Sequence, residues 1–382
     1  MEIPQRNIIR KIWLKIRKNI PEEYLVFLSQ QPEKLNHILL KRKYSKLGFL
    51  SYHPVFSEDL KKYLLQKENL SEKQKEIKYI SHFLRKNNNH QNYDLLLKAF
   101  IPKLLLDYDK AEFIGEGQAK SSLDTYRKIS IDQNIFFEKV YFNSYQNIEK
   151  LTFLSEFIFP LLKNKLQIPS IKNIYKGNII SSVYWEFLIL KEISKHKQEE
   201  TLKEFSLILY QVSIEKHSFL RGLKELENYR NFNLHYQYVL NLDLSKRYFK
   251  SRRISFSHFE KSAGFSKPIL THADLHQDNI FQNRILIDWD HFGYFPIGFE
   301  QAFLFFRMLE NHSKSGKDFY DWMKDFTEKI NKEDRADFER NFLFFLMVFS
   351  IRRIEKNKLI HSKELLRNLT FQLQNYTFSA AN

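Results

Sequence analysis

The sequence predicts an α+β chain in which a small strand-rich segment stands ahead of a larger helical one. Three observations carry that expectation. Apolar residues recur at helical spacing over residues 1–105, β-favouring residues and glycine turns take over from about residue 110, and helical patterning returns past residue 195. At 382 residues the chain has room for two or three domains with sizeable cores.

The first element is a helix with Ile9, Ile12, Trp13, Ile16 and Ile20 at helical spacing. It carries Arg6, Arg10, Lys11, Lys15, Arg17 and Lys18 against one acid, Glu2. Such a helix either packs on its own domain with a solvated basic face, the preferred reading, or lies on an anionic membrane surface. A polar run, KNNNHQN over 86–92, breaks the pattern. FIGEGQAKSS (113–122) reads as a glycine turn and IFFEKVYF (135–142) as a strand. A helix is expected over 146–165, a loop entering a strand over 168–175, and a further strand over SSVYWEFLIL (181–190). The expected divisions are a helical region of unassigned role over 1–105, a strand-rich unit over 106–190 and a helical unit over 191–382.

Composition excludes several classes. There is no cysteine, so disulfides, thiolate zinc sites, iron–sulfur clusters and cysteine nucleophiles are ruled out. Hydrophobic residues make up 43% of the chain, with 36 Phe, which argues against pervasive disorder. The longest apolar run, FLFFLMVF over 342–349, is far short of the roughly 20 residues that span a bilayer. It reads as a buried core helix. No signal peptide or transmembrane segment is expected, and the expected location is cytoplasmic, with membrane contact confined to the basic first helix. The formal charge of +16 favours anionic partners.

The chemistry concentrates in HADLHQDN, residues 272–279. His272, Asp274, His276 and Asp278 alternate, so an extended strand would set them on one face as a row of metal ligands. The alternative is a phosphoryl-transfer loop of the form H-x-D-x-x-x-x-N. The next stretch favours the second reading, because the apolar ILI (285–287) leads into Asp288-Trp289-Asp290 after a short hairpin-like excursion through 281–284. Phosphoryl transfer needs one carboxylate to orient the acceptor hydroxyl, and an amide oxygen plus a second carboxylate to hold Mg²⁺ against the nucleotide phosphates. Asp274 fits the first role, and Asn279 and Asp288 the second.

The stretch THADLHQDNIFQNRILIDWDHFGYFPIGFEQA (271–302) resembles the aminoglycoside phosphotransferase/choline kinase-like family, which reads H-G-D-L-H-x-x-N, then an apolar strand ending I-D-W-E/D, then G-x-P and an acid. The resemblance implies a protein-kinase-like two-lobe fold, with a small β-rich lobe, a larger helical lobe and, here, an extra helical N-terminal region. It implies ATP and Mg as cofactors, Asp274 as catalytic base with His272 as a structural member of its loop, and Asn279 and Asp288 as metal ligands. Asp290 becomes a secondary acid and Glu300 the brace of the loop. Two departures stand out: Ala273 replaces the usual Gly, and the later Gly and Pro are shifted. Alanine is accommodated if position 273 needs no positive φ.

Upstream, Lys139 lies on a predicted strand 22 residues after Gly117 and resembles the lysine that grips the α/β-phosphates. The Gly115-Glu116-Gly117 turn, with Ser121 and Ser122, offers backbone amides to phosphates. Glu149 or Glu156 pairs with Lys139, with Glu149 the choice because the family's acid tends to begin this helix. Glu186 and Phe187, in YWEFL, resemble the connection whose backbone meets adenine.

The function these features imply is phosphorylation of a hydroxyl on a small molecule or glycan. The +16 charge and basic first helix tilt the acceptor towards a sugar or surface glycoconjugate, with an aminoglycoside-type antibiotic as the alternative. A catalytically idle kinase fold serving as a scaffold is the competing class, although Lys139, Asp274, Asn279 and Asp288 are all intact. The basic runs SRR (251–253) and RRIEKNK (352–358) raise nucleic-acid binding, but such runs usually form solvated faces, and nucleic acid is not the expected partner.

Overall fold

The computed structural model describes residues 70–115, 122–144, 147–230, 242–310, 318–355 and 362–379. The basic helix expected over 9–20 and the membrane contact drawn from it lie outside these residues, as does Gly117. The described residues form two compact units. One runs to Ser155 and takes in Ser170–Leu188; the other holds Glu156–Pro169 and everything from Ile189.

The first unit is built on a five-stranded antiparallel sheet of order β1-β2-β3-β5-β4. Its strands are β1 (Lys110–Gly115), β2 (Ser122–Ile131), β3 (Asn134–Phe142), β4 (Ile171–Lys176) and β5 (Ile180–Glu186). Two helices precede them, α1 (Leu70–Lys86) and α2 (His90–Phe100). The polar run between them does break the helix. Asn88 adopts positive φ, and the Asn89 side chain accepts a hydrogen bond from the Asn92 amide at 3.1 Å, capping α2.

Both helices are amphipathic. Ile77, Ile80 and Leu84 of α1, and Tyr93, Leu96, Leu97 and Phe100 of α2, are buried against Leu123, Val140, Phe142, Ile180 and Tyr184 of the sheet. Residues 70–100 therefore share the core of the sheet. Period-two alternation makes Glu138, Val140 and Phe142 face these helices, so Lys139 and Tyr141 point to the opposite face. The β4–β5 turn meets the end of α2 closely: a Cβ on Gly177 would come within 2.2 Å of the Phe100 carbonyl oxygen and 2.4 Å of that of Ile180. Only glycine fits there.

After β3 the chain enters α3 (Ile148–Phe153), a π-helical turn over Leu154–Ile158 and α4 (Phe159–Leu162). The single helix expected over 146–165 is thus interrupted just before Pro160, which has no amide hydrogen to donate. The strand expected over 181–190 ends at Glu186, because β3 supplies its last partner there, Phe136.

The second unit is mainly helical. Its elements are α5 (Lys195–Glu215), α6 (His217–Gly222), α7 (Leu242–Ser251), α8 (Phe256–Phe265), α9 (Phe299–Glu310), α10 (Phe319–Lys329), α11 (Arg335–Glu355) and α12 (Ser362–Ser379). Helix α11 is the centre: all eight residues from Phe342 to Phe349 are buried, and α7, α8, α9, α10 and α12 pack on it. Such a helix, apolar all round, belongs to a core. Among the described residues no helix is long and apolar enough to cross a membrane. Two short strand pairs complete the unit, β6 (Pro268–Thr271) with β9 (Gly293–Pro296), and β7 (Ile280–Phe281) with β8 (Ile285–Leu286). The α+β class expected from the sequence is the class observed.

Candidate active site

The loop after β6 is shaped by its backbone. His272 is fully buried, its ring packed edge-on against Trp289 at 4.8 Å, with Nε2 at 2.9 Å from the Ile287 carbonyl oxygen. A carbonyl only accepts, so Nε2 carries the proton. Burial holds the imidazole neutral, its pKa pushed down to about 4 against the pull of Asp274. His272 therefore positions the loop and presents no face to a substrate.

Ala273 has φ of 63°, the left-handed conformation. The condition under which alanine would fit freely is not met: alanine occupies the conformation that glycine enters freely, at a cost of roughly 1–2 kcal/mol. Its amide donates to Glu300 Oε2 at 2.9 Å, so Glu300, in the first turn of α9, braces the loop as the family pattern implied. Burial pushes the Glu300 carboxyl up to about 7, while the amides of Ala273, His272 and Leu275 hold it back from rising further.

That shift has a testable sign. A carboxyl whose folded pKa exceeds its unfolded value stabilises the fold fully below about 4.5, and loses that contribution as pH rises through about 7. Glu300→Gln keeps an acceptor for Ala273 and removes the ionisation. The thermal midpoint of the parent chain relative to this variant should therefore fall between pH 5 and pH 8, by the equivalent of on the order of 3 kcal/mol. A difference that stays flat across that range would count against a buried, ionising Glu300.

Asp274 follows, partly exposed, and a 3₁₀ turn (Gln277–Asn279) carries the chain on to Asn279. Burial would raise the Asp274 carboxyl, but the nearby imidazoles of His276 and His291 hold it below its usual value. The buried Asn279 donates from Nδ2 to the Asp274 carbonyl oxygen at 2.9 Å. Its amide nitrogen is thus occupied by the loop itself, and the remaining side-chain oxygen is the atom suited to a hard cation.

The β7–β8 hairpin then brings Asp288 back beside this loop. Asn283 and Arg284 take positive φ in its turn, and the Ile287 amide donates to the Asn279 carbonyl at 3.0 Å. Nine residues of sequence are reduced to adjacent strand ends. Asp288 itself is left-handed, φ 64° and ψ 58°, where the chain leaves the strand for a 3₁₀ turn over Trp289–His291. The alternating row of four ligands does not form: His272 is buried, Asp278 is largely exposed, and among the described residues no group of three or more acids or histidines could hold a metal. Asn279 and Asp288 remain a fit for Mg²⁺, which is held by one or two carboxylates together with substrate phosphates.

Sequence reasoning set His276 aside, yet its Nε2 lies 3.7 Å from Asp274 Oδ2 and 3.1 Å from Asn279 Nδ2. The signal was present in its i+2 and i−3 spacing from those two residues, which a 3₁₀ turn converts into contact.

In the first unit, Lys139 is largely buried on β3, with Nζ 5.9 Å from the centre of the Tyr126 ring and 5.0 Å from that of Tyr141. Gly115 ends β1 at a register shift opposite Tyr126. Glu149 is exposed in the first turn of α3, a turn capped by Asn147, and the structure does not bring it into an ion pair with Lys139; Glu156 is exposed as well. A carboxylate at a helix N-terminus is favoured by the helix dipole alone. Glu186 accepts from the Ser170 hydroxyl at 2.7 Å and from its amide at 3.2 Å, tying the end of β5 to the chain entering β4. Burial would raise its carboxyl, but these bonds and Lys172 hold it low. Phe187 lies under Lys128, whose Nζ is 5.1 Å from its ring centre.

Comparison with known proteins follows from these features. No family model and no curated protein matches the chain. Among solved structures, it is similar to an aminoglycoside phosphotransferase in a ternary complex with AMP-PNP and hygromycin B, at 11% identity and TM-score 0.41, covering 74% of this chain and 97% of that one. A spectinomycin phosphotransferase in complex with ADP and spectinomycin matches at 15% identity and TM-score 0.33, covering 75% and 94%. An ethanolamine kinase of Plasmodium vivax matches at 14% identity and TM-score 0.39, covering 84% and 93%.

A charged groove of about 750 Å³ also opens in the second unit along α5. Its cations are already paired: Lys203 with Asp325 at 2.8 Å, Lys329 with Asp325 at 2.6 Å and Arg284 with Glu204 at 2.7 Å. It does not resemble a site for an anionic ligand.

Proposed function

We propose that this chain is an ATP- and Mg-dependent phosphotransferase acting on a hydroxyl of a small molecule or glycan. The observation that carries the reading is the joining of Asn279 to Asp274 by a side-chain bond, and to the strand end that bears Asp288 by a backbone bond. In this reading the loop and its hairpin would supply a base and two oxygen ligands of different kinds, the minimum that phosphoryl transfer asks of a protein.

In this reading Asp274 accepts the hydrogen bond of the acceptor hydroxyl and aims its lone pair at the terminal phosphorus. As the new O–P bond forms, the bond to the ADP oxygen breaks and the hydroxyl proton passes to Asp274. A carboxylate held low in pKa orients the hydroxyl more than it removes the proton early, as suits a loose transition state. Asn279 and Asp288 would hold Mg²⁺, which neutralises phosphate charge when bound. Lys139 is assigned to the α/β-phosphates, Gly115 and the turn that begins there to covering them, and the backbone at Glu186 and Phe187 to adenine. Glu149 remains the acid proposed to partner Lys139 in this group. The +16 charge supports a slight preference for a sugar or glycoconjugate acceptor.

Turnover of Mg-ATP against a panel of glycans, aminoglycosides and amino alcohols tests the reading. Phosphorylation of one class is the expected result; nucleotide binding without turnover on any of them would favour the idle-scaffold alternative. Asp288→Ala should weaken nucleotide affinity in the presence of Mg²⁺ by about 10–100-fold, the equivalent of one lost charge-assisted contact. The metal assignment fails if calorimetry finds the same affinity in variant and parent.

A further inference from the structure

Helices α1 and α2 lie outside every motif assigned above, yet α2 reaches into the sheet with a charge. Asp94 is buried on α2, and its Oδ1 is 2.7 Å from an Nη of Arg127 on β2. The Arg127 Nε is 2.6 Å from Glu138 Oε2 on β3, and Arg127 and Glu138 are direct cross-strand partners. The Ser182 hydroxyl of β5 donates to Glu138 Oε1 at 2.8 Å, and the Tyr108 hydroxyl donates to Asp94 Oδ2. The guanidinium also stacks on the Tyr93 ring of α2 at 4.5 Å. Arg127 and Glu138 are almost wholly buried.

This chain of contacts ends one residue from Lys139. Adjacent residues of a strand point to opposite faces, so the rear face of β3 is pinned at Glu138 where the front face presents Lys139. Buried charges of this kind are directional: each accepts only a narrow geometry, unlike apolar packing, which tolerates sliding.

We propose that Asp94 is a positioning residue for Lys139, and that the α1–α2 pair sets the nucleotide affinity of the sheet through Arg127 and Glu138. The proposal rests on the phosphotransferase reading for the role of Lys139. It gives residues 70–100 a task in that function beyond covering a sheet face.

The test is a double-mutant cycle on binding of Mg-AMP-PNP by calorimetry, with Asp94→Asn and Lys139→Met alone and together. Asp94→Asn should weaken binding roughly ten-fold in the parent chain, and by less than two-fold in the Lys139→Met background. Tyr108→Phe, a milder change, should weaken it two- to three-fold. Additive losses, or unchanged affinity with only a lowered melting temperature, overturn the proposal. Amide hydrogen exchange separates its failure from that of the underlying reading. If the parent chain binds no nucleotide, the phosphotransferase reading falls and the claim on nucleotide affinity falls with it. Exchange then decides the structural half: faster exchange in Asp94→Asn confined to β2 and β3 supports control of the strand, and uniform acceleration across the unit overturns it.

Discussion

Asp274→Asn is expected to lower turnover by roughly 10²–10⁴-fold, with nucleotide affinity nearly unchanged. The substitution keeps the shape of the side chain and the backbone carbonyl that accepts from Asn279, so the loop and its proposed metal ligands stay in place. What disappears is the negative charge proposed to receive the acceptor proton. Asparagine offers one acceptor oxygen with little basicity, and its amide group would confront the hydroxyl as a competing donor. Steady-state kinetics with parallel calorimetry separates the effects, because a loss of turnover without a loss of binding marks an interaction made in the transition state. Turnover within ten-fold of the parent would sink the assignment.

The largest stability effect is expected from Arg127→Ala. Removing the guanidinium leaves Asp94 and Glu138 buried without their shared counter-charge, a change that typically costs about 3–5 kcal/mol. It also opens a cavity under the Tyr93 ring. The loss should be local to the first unit, so exchange of the β2 and β3 amides is a better readout than a global transition in a chain of two units. A triple variant, Asp94→Asn, Arg127→Met, Glu138→Gln, should recover much of the loss, because it removes the orphaned charges. A single Arg127→Ala variant that loses less than about 1 kcal/mol would show that water reaches the two carboxylates.

Much of the candidate site was legible because its pieces are contiguous. Asp274, Asn279 and Asp288 lie within fifteen residues, and the hairpin that joins them is marked by the apolar ILI and the polar turn before it. Lys139 could be singled out because few lysines sit in the middle of an aromatic strand. Glu149 was harder, since position at the start of a helix does not say which way the helix faces, and the structure leaves it exposed. The φ of Ala273 was not legible because it belongs to the loop around it: the Glu300 carboxylate takes its amide, and the buried His272 next to it is fixed by Ile287.

The sequence by itself determined the α+β class, the buried helix over 342–349 and the identity of the residues proposed for chemistry. Each of these rests on local pattern: period, apolar content or short spacing. Only the tertiary structure decided that α1 and α2 cover the rear of the sheet, and that Asp94, Arg127 and Glu138 meet there across 33 and 11 positions. In sequence each is an ordinary charged residue on an element with a solvent-facing side. Burial turns them into a directional network, and burial is a property of what packs against an element.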